Sequence, residues 1–404
     1  MSRKERWIRG LIAAILVFAA GLFLNDTYAS AAGDWKGAKK EIINGYKKYQ
    51  TSVDVRKYNL NYAKEYTSLK NTMSQVVSET PSLFYAGTQF YVSRNKNTNQ
   101  IVSITLGYKK DYIKADGSVR KTKIKSTKQK LDEAINQVLL SVLPSMSEVE
   151  KAMILHDSLV SSTAYTDNSS DESRTTPVGV FLKHKANCEG YSKAYAILMQ
   201  RVGIPVKLVS SKKMLHMWNA VRIDKKWYHV DVTWDDPMNA KDKTDQYGRV
   251  MHENFLCSTA RMQKLKHYDF NGPQAVSTKY DKRYWKNVKS SVFYTNGKWI
   301  YMTKKGIEQR DRLDKGTSTV LYNVTGDNLV QFDADNYYFI GYNSIFLYSY
   351  KTNSAKVVWK TTDVYSKNCT LDQIKFVNNK LYYRVYEKGK HISNKMTPKE
   401  DGTL

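Results

Sequence analysis

Apolar residues recur at near-helical intervals from Trp35 to about Val77, with Ile42, Ile43, Tyr46 and Tyr49 on the stripe, and Pro81 stops the pattern. Leu83 to Tyr108 changes period. "SLFYAGTQFYVS" and "IVSITLGYKK" alternate as strands do and flank the turn-rich run Arg94 to Asn99. Helical spacing returns from about Ser126 to Leu143, closed by Pro144. It appears again from Ser147 to about Val160, with Ser147 as N-cap and Glu148 and Glu150 in the first turn. A further helix is predicted in "CEGYSKAYAILMQRVGIP", where Tyr191, Ala194, Tyr195, Leu198, Met199 and Val202 form one face and Gly203 and Pro205 end it. "HMWNAVRI" (216–223) and "KWYHVDVT" (226–233) flank Asp224 and Lys225 as an antiparallel hairpin.

Beyond about Lys286 helical periodicity disappears. Three turn-then-strand motifs follow: "NGKWIYMT" from Asn296, "YNSIFLYSY" from Tyr342 and "VNNKLYYRVY" from Val377. Their spacing is that of propeller blades or hairpin repeats, but about 115 residues are too few for a closed ring. A small antiparallel module or a partial blade set is predicted.

The N-terminus alters which residues enter the fold. Arg3, Lys4, Arg6 and Arg9 precede an apolar run from Leu11 to Leu24, and Ala29-Ser30-Ala31 fits a signal-peptidase site. Residues 1–31 are expected to be a signal peptide, with an uncleaved anchor as the alternative, so the protein is expected to be secreted or attached to the cell surface. The formal charge is +26; the leader carries four basic and two acidic residues, so 26 − (4 − 2) leaves +24. Such an excess favours anionic wall polymers or a membrane surface as partners. No nucleic-acid-binding motif accompanies it. Nine basic residues between Lys109 and Lys130, against Asp111 and Asp116, carry much of the excess, and a solvated loop and helix face also explains them.

Three cysteines, Cys188, Cys257 and Cys369, make no disulfide framework and no zinc-spaced cluster. Asn187 suits an N-cap, which puts Cys188 at the first helical position. The helix dipole and the unpaired amides there favour a thiolate and can receive an oxyanion. A lone cysteine is more often a small buried apolar residue, and the hairpin decides between the two. With a two-residue turn, Ile223 pairs with Lys226, Trp218 with Asp231 and His216 with Thr233. His216 and Asp231 become diagonal neighbours on one face, roughly 7–8 Å apart at Cα. A one-residue slip would separate them. By the same alternation His229 shares the face of Asp231, so periodicity leaves His216 and His229 as rivals. His156 is expected to pack within its helix, and Asp235-Asp236-Pro237 to close a turn rather than bind metal. No metal or cofactor is expected.

"CEGYSKAYAILMQRVGIPVKLV", "HMWNAV" and "KWYHVDVTWDDP" together resemble the transglutaminase-like superfamily of papain-fold cysteine enzymes. The resemblance extends from about Ser147 to Phe270, taking in "ILHDSLVSSTAY" and "HENFL". It implies a catalytic Cys188, His216 and Asp231, and so chooses His216 over His229. It also implies a helix packed on an antiparallel sheet with the thiol at the helix tip. Papain-type peptidases carry a glutamine six residues before the nucleophile; Leu182 stands there, and Tyr165 or Trp218 are the substitutes considered.

The resulting expectation is an α+β protein: an N-terminal α/β region at 32–125, a transglutaminase-like core at 126–285, and a C-terminal all-β module at 286–404. The function implied is thioester acyl transfer or hydrolysis on protein glutamine side chains or peptide bonds, with Trp218, Tyr165 and Trp234 at the substrate. A cysteine peptidase or a wall-binding scaffold is the alternative. The loop "TDNSSDESRTTPVG" is a candidate lid.

Overall fold

The computed structural model describes residues 33–239, 245–246, 248–360, 369–387 and 390–404. The expected signal peptide and the Cys369 side chain lie outside the described set. Among the described residues, no helix is long and apolar enough to cross a membrane. The chain divides into two compact units, one built from residues up to Ala134 with Asp167–Leu182, the other from Ile135–Thr166 with Lys183–Leu404.

In the first unit the single helical stretch expected from Trp35 is broken into α1 (Trp35–Lys47), β1 (Ser52–Asp54) and α2 (Tyr62–Glu79). The reason is local. Tyr49 and Asn59 take left-handed backbone, and Val53 is buried between exposed Ser52 and Asp54, a strand's period within a helix-like composition. β1 pairs with β3 (Ile101–Thr105), and β3 with β2 (Tyr91–Arg94). The helix α3 (Lys121–Leu139) starts five residues before the expected Ser126 and ends before Leu143. Ile124, Leu131 and Ile135 are buried while Lys121, Lys123, Lys125, Lys128 and Lys130 are exposed, so that part of the basic run is a solvated helix face.

The second unit holds a five-stranded sheet, its strands in the order 270–271, 206–211, 216–223, 226–230 and 255–257, and the helix that packs on it. Its elements begin with α4 (Glu148–Ser162), capped by Ser147 and Glu150 in a reciprocal capping box. A two-strand parallel pair, β4 (Ala164–Tyr165) with β5 (Lys185–Ala186), leads directly into α5 (Cys188–Arg201). Tyr191, Ala194, Tyr195, Leu198 and Met199 of α5 are all fully buried. Gly203, at φ +76°, ends the helix, and the Ile204 amide turns back to the Met199 carbonyl at 2.9 Å.

The sheet strands are β6 (Val206–Ser211), β7 (His216–Ile223), β8 (Lys226–Val230), β9 (Phe255–Cys257) and β10 (Phe270–Asn271), with α6 (Thr259–Lys264) between the last two. Asp224 and Lys225 both have positive φ, as a two-residue hairpin turn with the right twist requires. Ile223 pairs with Lys226 as expected, but the ladder ends at Asn219 and Val230. The expected pairs Trp218–Asp231 and His216–Thr233 do not form.

Past the core the described residues form three antiparallel sheets: four strands between 293 and 322, four between 327 and 360, and three between 369 and 396. Each recurring motif supplies a turn and a strand. Asn296-Gly297, Tyr342-Asn343 and Asn378-Asn379 take positive φ before Lys298–Thr303, Ser344–Ser349 and Lys380–Glu387. The protein is thus mixed α+β with several antiparallel sheets.

Candidate active site

The Asn187 side chain accepts the Gly190 amide at 3.2 Å, which fixes the start of α5 and leaves Cys188 half-buried at its first position. The Ser192 hydroxyl lies 2.7 Å from the Cys188 carbonyl and 2.9 Å from that of Met217, and the Asn219 amide group donates to the Ser192 carbonyl at 3.0 Å. These bonds stitch the first turns of α5 to β7, whose first residue is His216. The thiol is consequently brought beside the imidazole, where it favours the charged form of His216. His216 Nε2 is 2.7 Å from Asp231 Oδ2, so Nδ1 is the ring nitrogen left for the sulfur.

Asp231 is held by a different device from the one expected. Its amide donates to the Asn254 carbonyl at 3.1 Å, and its Oδ1 accepts the Thr233 and Trp234 amides, both at 3.1 Å. The carboxylate thus wraps the chain into a turn, which explains why β8 stops at Val230. The functional juxtaposition with His216 is preserved although the strand pairing that predicted it is absent.

A second imidazole completes the carboxylate: His267 Nε2 lies 2.8 Å from the same Oδ2. Burial opposes charge on Asp231, but the His216 and His267 contacts outweigh it and hold the acid far below the usual carboxylate range. Burial likewise opposes charge on His216, yet Asp231 and the Cys188 sulfur together push its pKa up to about 10. A raised histidine pKa stabilises the fold fully below about 6.5 and progressively less as pH climbs toward 10. The melting temperature of the wild type is therefore expected to fall more steeply between those pH values than that of His216→Gln, measured by scanning fluorimetry.

The rival histidine has other duties. His229 is fully buried, receives the Trp218 indole N–H at Nδ1 (3.2 Å), and reaches the Thr259 hydroxyl through Nε2 (3.1 Å). Burial, with His267 nearby, pushes its pKa down to about 4, so it is neutral. His229→Gln is expected to cost about 1–3 kcal/mol of stability, from the disturbed buried hydrogen bonds, while leaving turnover within several-fold. Urea unfolding and steady-state rates check this pair of outcomes.

The same bond corrects the expectations for Trp218. Its side chain is fully buried and its N–H is committed, so it neither faces substrate nor donates to an oxyanion; it stacks on His216 at 5.7 Å. Trp234, 42% exposed, stacks on His216 at 5.3 Å and packs at a tilt against His267 at 4.2 Å, and it presents an aromatic surface to solvent beside the imidazole. Tyr165 pairs with Ala186, two residues before Cys188, and is half-buried. Cys257 is an inert thiol: it is buried, donates to the Glu253 carbonyl at 3.2 Å, and burial raises its pKa.

His156 packs within its helix as expected. It is fully buried, but between carboxylates, with Nδ1 2.8 Å from Asp157 and Nε2 3.2 Å from Asp235. Asp236 meets the Tyr191 hydroxyl. Two groups among the described residues bring three metal-type donor atoms within 4.8 Å of one another: His216, Asp231 and His267, and His156, Asp157 and His252. A ligating histidine usually anchors its other N–H on an acceptor. His267 Nδ1 makes no hydrogen bond, so the first group is better described as one carboxylate shared by two N–H donors. Neither His267 nor His252 could be foreseen from spacing, since each lies on an irregular segment between elements.

Comparison with known proteins bears on the same region. Residues 137–232 match the model of the transglutaminase-like superfamily. Among solved structures, the chain is similar to a TGase crystal structure at 17% identity and TM-score 0.24, covering 38% of this chain and 47% of that one. A putative protease from Parabacteroides distasonis ATCC 8503 matches at 11% identity and TM-score 0.21, covering 34% and 29%. The N-terminal domain of Nup159 matches at 11% and TM-score 0.21, covering 48% and 45%. The matched parts therefore span less than half of each of these chains. No curated protein matches the sequence. Residues 137–232, which include the Cys188 helix, the His216 strand and Asp231, are thus the part of the chain similar to the transglutaminase-like superfamily.

Proposed function

We propose that the protein is an exported thiol acyltransferase or hydrolase that works through Cys188, His216 and Asp231. The observation that carries this reading is the His216–Asp231 pair, nitrogen to oxygen 2.7 Å, with the Cys188 thiol at the helix tip beside the same imidazole. In this reading the Cys188 thiolate, paired with the His216 imidazolium, attacks the carbonyl carbon of a glutamine carboxamide or peptide bond. The oxyanion is met by first-turn amides of α5. His216 returns its proton to the departing nitrogen, which leaves as ammonia or an amine, and a thioester remains on Cys188. A second amine or a water then attacks the thioester, giving a crosslink or a hydrolysis product, and the thiolate is regenerated. Asp231 keeps the imidazole oriented throughout.

Trp234 is the exposed aromatic wall available to a substrate chain. The basic charge and the N-terminal leader support a setting at the cell surface, against anionic polymers. The direct test is mass spectrometry after incubation with a glutamine-containing peptide or a peptidyl electrophile. An adduct on Cys188 that vanishes in His216→Ala and persists in His229→Ala supports the reading. Incubation with a labelled primary amine then separates the acceptors: incorporation into protein marks transfer, and release of acid or peptide fragments marks hydrolysis. A protein that gives neither product and no adduct, yet binds anionic wall material, is the scaffold instead.

A further inference from the structure

The second histidine cluster lies away from the thiol and has a donor count of its own. His252 Nδ1 is 3.1 Å from the Val288 carbonyl, which can only accept, so Nδ1 carries the hydrogen. A singly protonated His252 then turns a bare lone pair at Nε2 toward Asp157 Oδ1, 3.0 Å away. His156 repeats the pattern. Its Nε2 faces Asp235 Oδ2 at 3.2 Å, and its Nδ1 is turned to the same Asp157 Oδ1 at 2.8 Å.

The remaining carboxylate oxygens are held by N–H donors. Asp157 Oδ2 accepts the Val292 amide at 2.7 Å, and Asp235 Oδ1 accepts the Asn254 amide and side chain, both at 2.9 Å. Two imidazole nitrogens and one carboxylate oxygen thus converge, each with its outer partner in place. The three donor atoms lie within 4.8 Å of one another, so one divalent cation can sit at the centre.

We propose that His156, Asp157 and His252 bind a divalent transition metal, with zinc the best fit. Two imidazoles and one carboxylate are a zinc donor set, whereas calcium and magnesium call for oxygen ligands. Two imidazoles on one tetrahedral zinc, at bonds of about 2.0–2.1 Å, hold their ring centres roughly 5 Å apart; those of His156 and His252 are 5.5 Å apart. Each ring anchors its other N–H on a carbonyl or carboxylate, the usual outer support of a metal-bound histidine. The role is structural: Asp235 and Asn254 both bond to the backbone of Asp231, so the metal pins the turn that carries the catalytic acid. Through Val288 and Val292 it also pins the entry to the first C-terminal sheet.

The test is metal content of the full chain by inductively coupled plasma mass spectrometry, on a Cys188→Ala background that removes the competing thiol. About one zinc per chain is expected, retained in His267→Gln and lost in His252→Gln. A protein without metal, even after unfolding and refolding with zinc, overturns the proposal. Metal that His267→Gln loses overturns it as well, by moving the ion to the catalytic carboxylate. Should His252→Gln fail to fold, refolding the Cys188→Ala chain with cobalt replaces that arm: visible bands of cobalt with nitrogen and oxygen ligands are expected, and a colourless product overturns the assignment.

Discussion

Under the proposed mechanism Cys188→Ala is expected to abolish acyl transfer, lowering turnover by roughly 10⁴-fold or more, because the thioester forms on its sulfur. The fold should be nearly unaffected, with stability within about 1 kcal/mol of the wild type. The helix start is held by the Asn187 cap and by Ser192 between the Cys188 and Met217 carbonyls, and these bonds do not involve the sulfur. Iodoacetamide should label the wild type on the tryptic peptide 186–193 and leave the variant unlabelled there. Cys257 should not react in either, since its sulfur is buried and its thiol is pushed up in pKa. Peptide mapping and circular dichroism on the same samples check both halves. Retained turnover in a folded variant would falsify the assignment of the nucleophile.

Asp231→Asn carries the second large effect, expected at about 10³–10⁴-fold in turnover, since a misoriented imidazole with the wrong tautomer cannot serve the sulfur. The carboxylate accepts four N–H groups, from His216 and His267 on one oxygen and from Thr233 and Trp234 on the other. Asparagine offers one oxygen, so either two ring N–H groups or two amides must face its NH₂. Breaking such a buried pair costs about 3–5 kcal/mol. The same change removes the main cause of the raised His216 pKa, and burial then drives it down from about 10. The His216 ring resonance, followed by NMR titration, should shift its midpoint to lower pH in the variant. A midpoint that stays near 10 would show that Asp231 is not the partner that charges His216.

How much of this was legible beforehand differs by element. The cap at Asn187, the apolar face of α5 and the Asp224-Lys225 turn depend on neighbours within a few residues, and each formed as spacing predicted. The helical reading of 35–77 failed because the composition of 50–60 resembles a helix while its alternation at Val53 belongs to a strand. His156 packs within its helix as spacing predicts, but its carboxylate partners are not legible there, because Asp235 is 79 residues away.

The sequence by itself determined the local chemistry: a thiol at a capped helix tip, a histidine opening one strand, and an acid just past the end of its partner. Those features follow from short-range backbone preferences and a period of two. The tertiary structure alone decided that Asp231 reaches His216 from a turn, that His229 is a neutral support for Trp218, and that His267 and the His156–Asp157–His252 cluster exist at all. Each of those depends on hydrogen bonds between distant segments, whose geometry is set by packing and leaves no periodic trace along the chain.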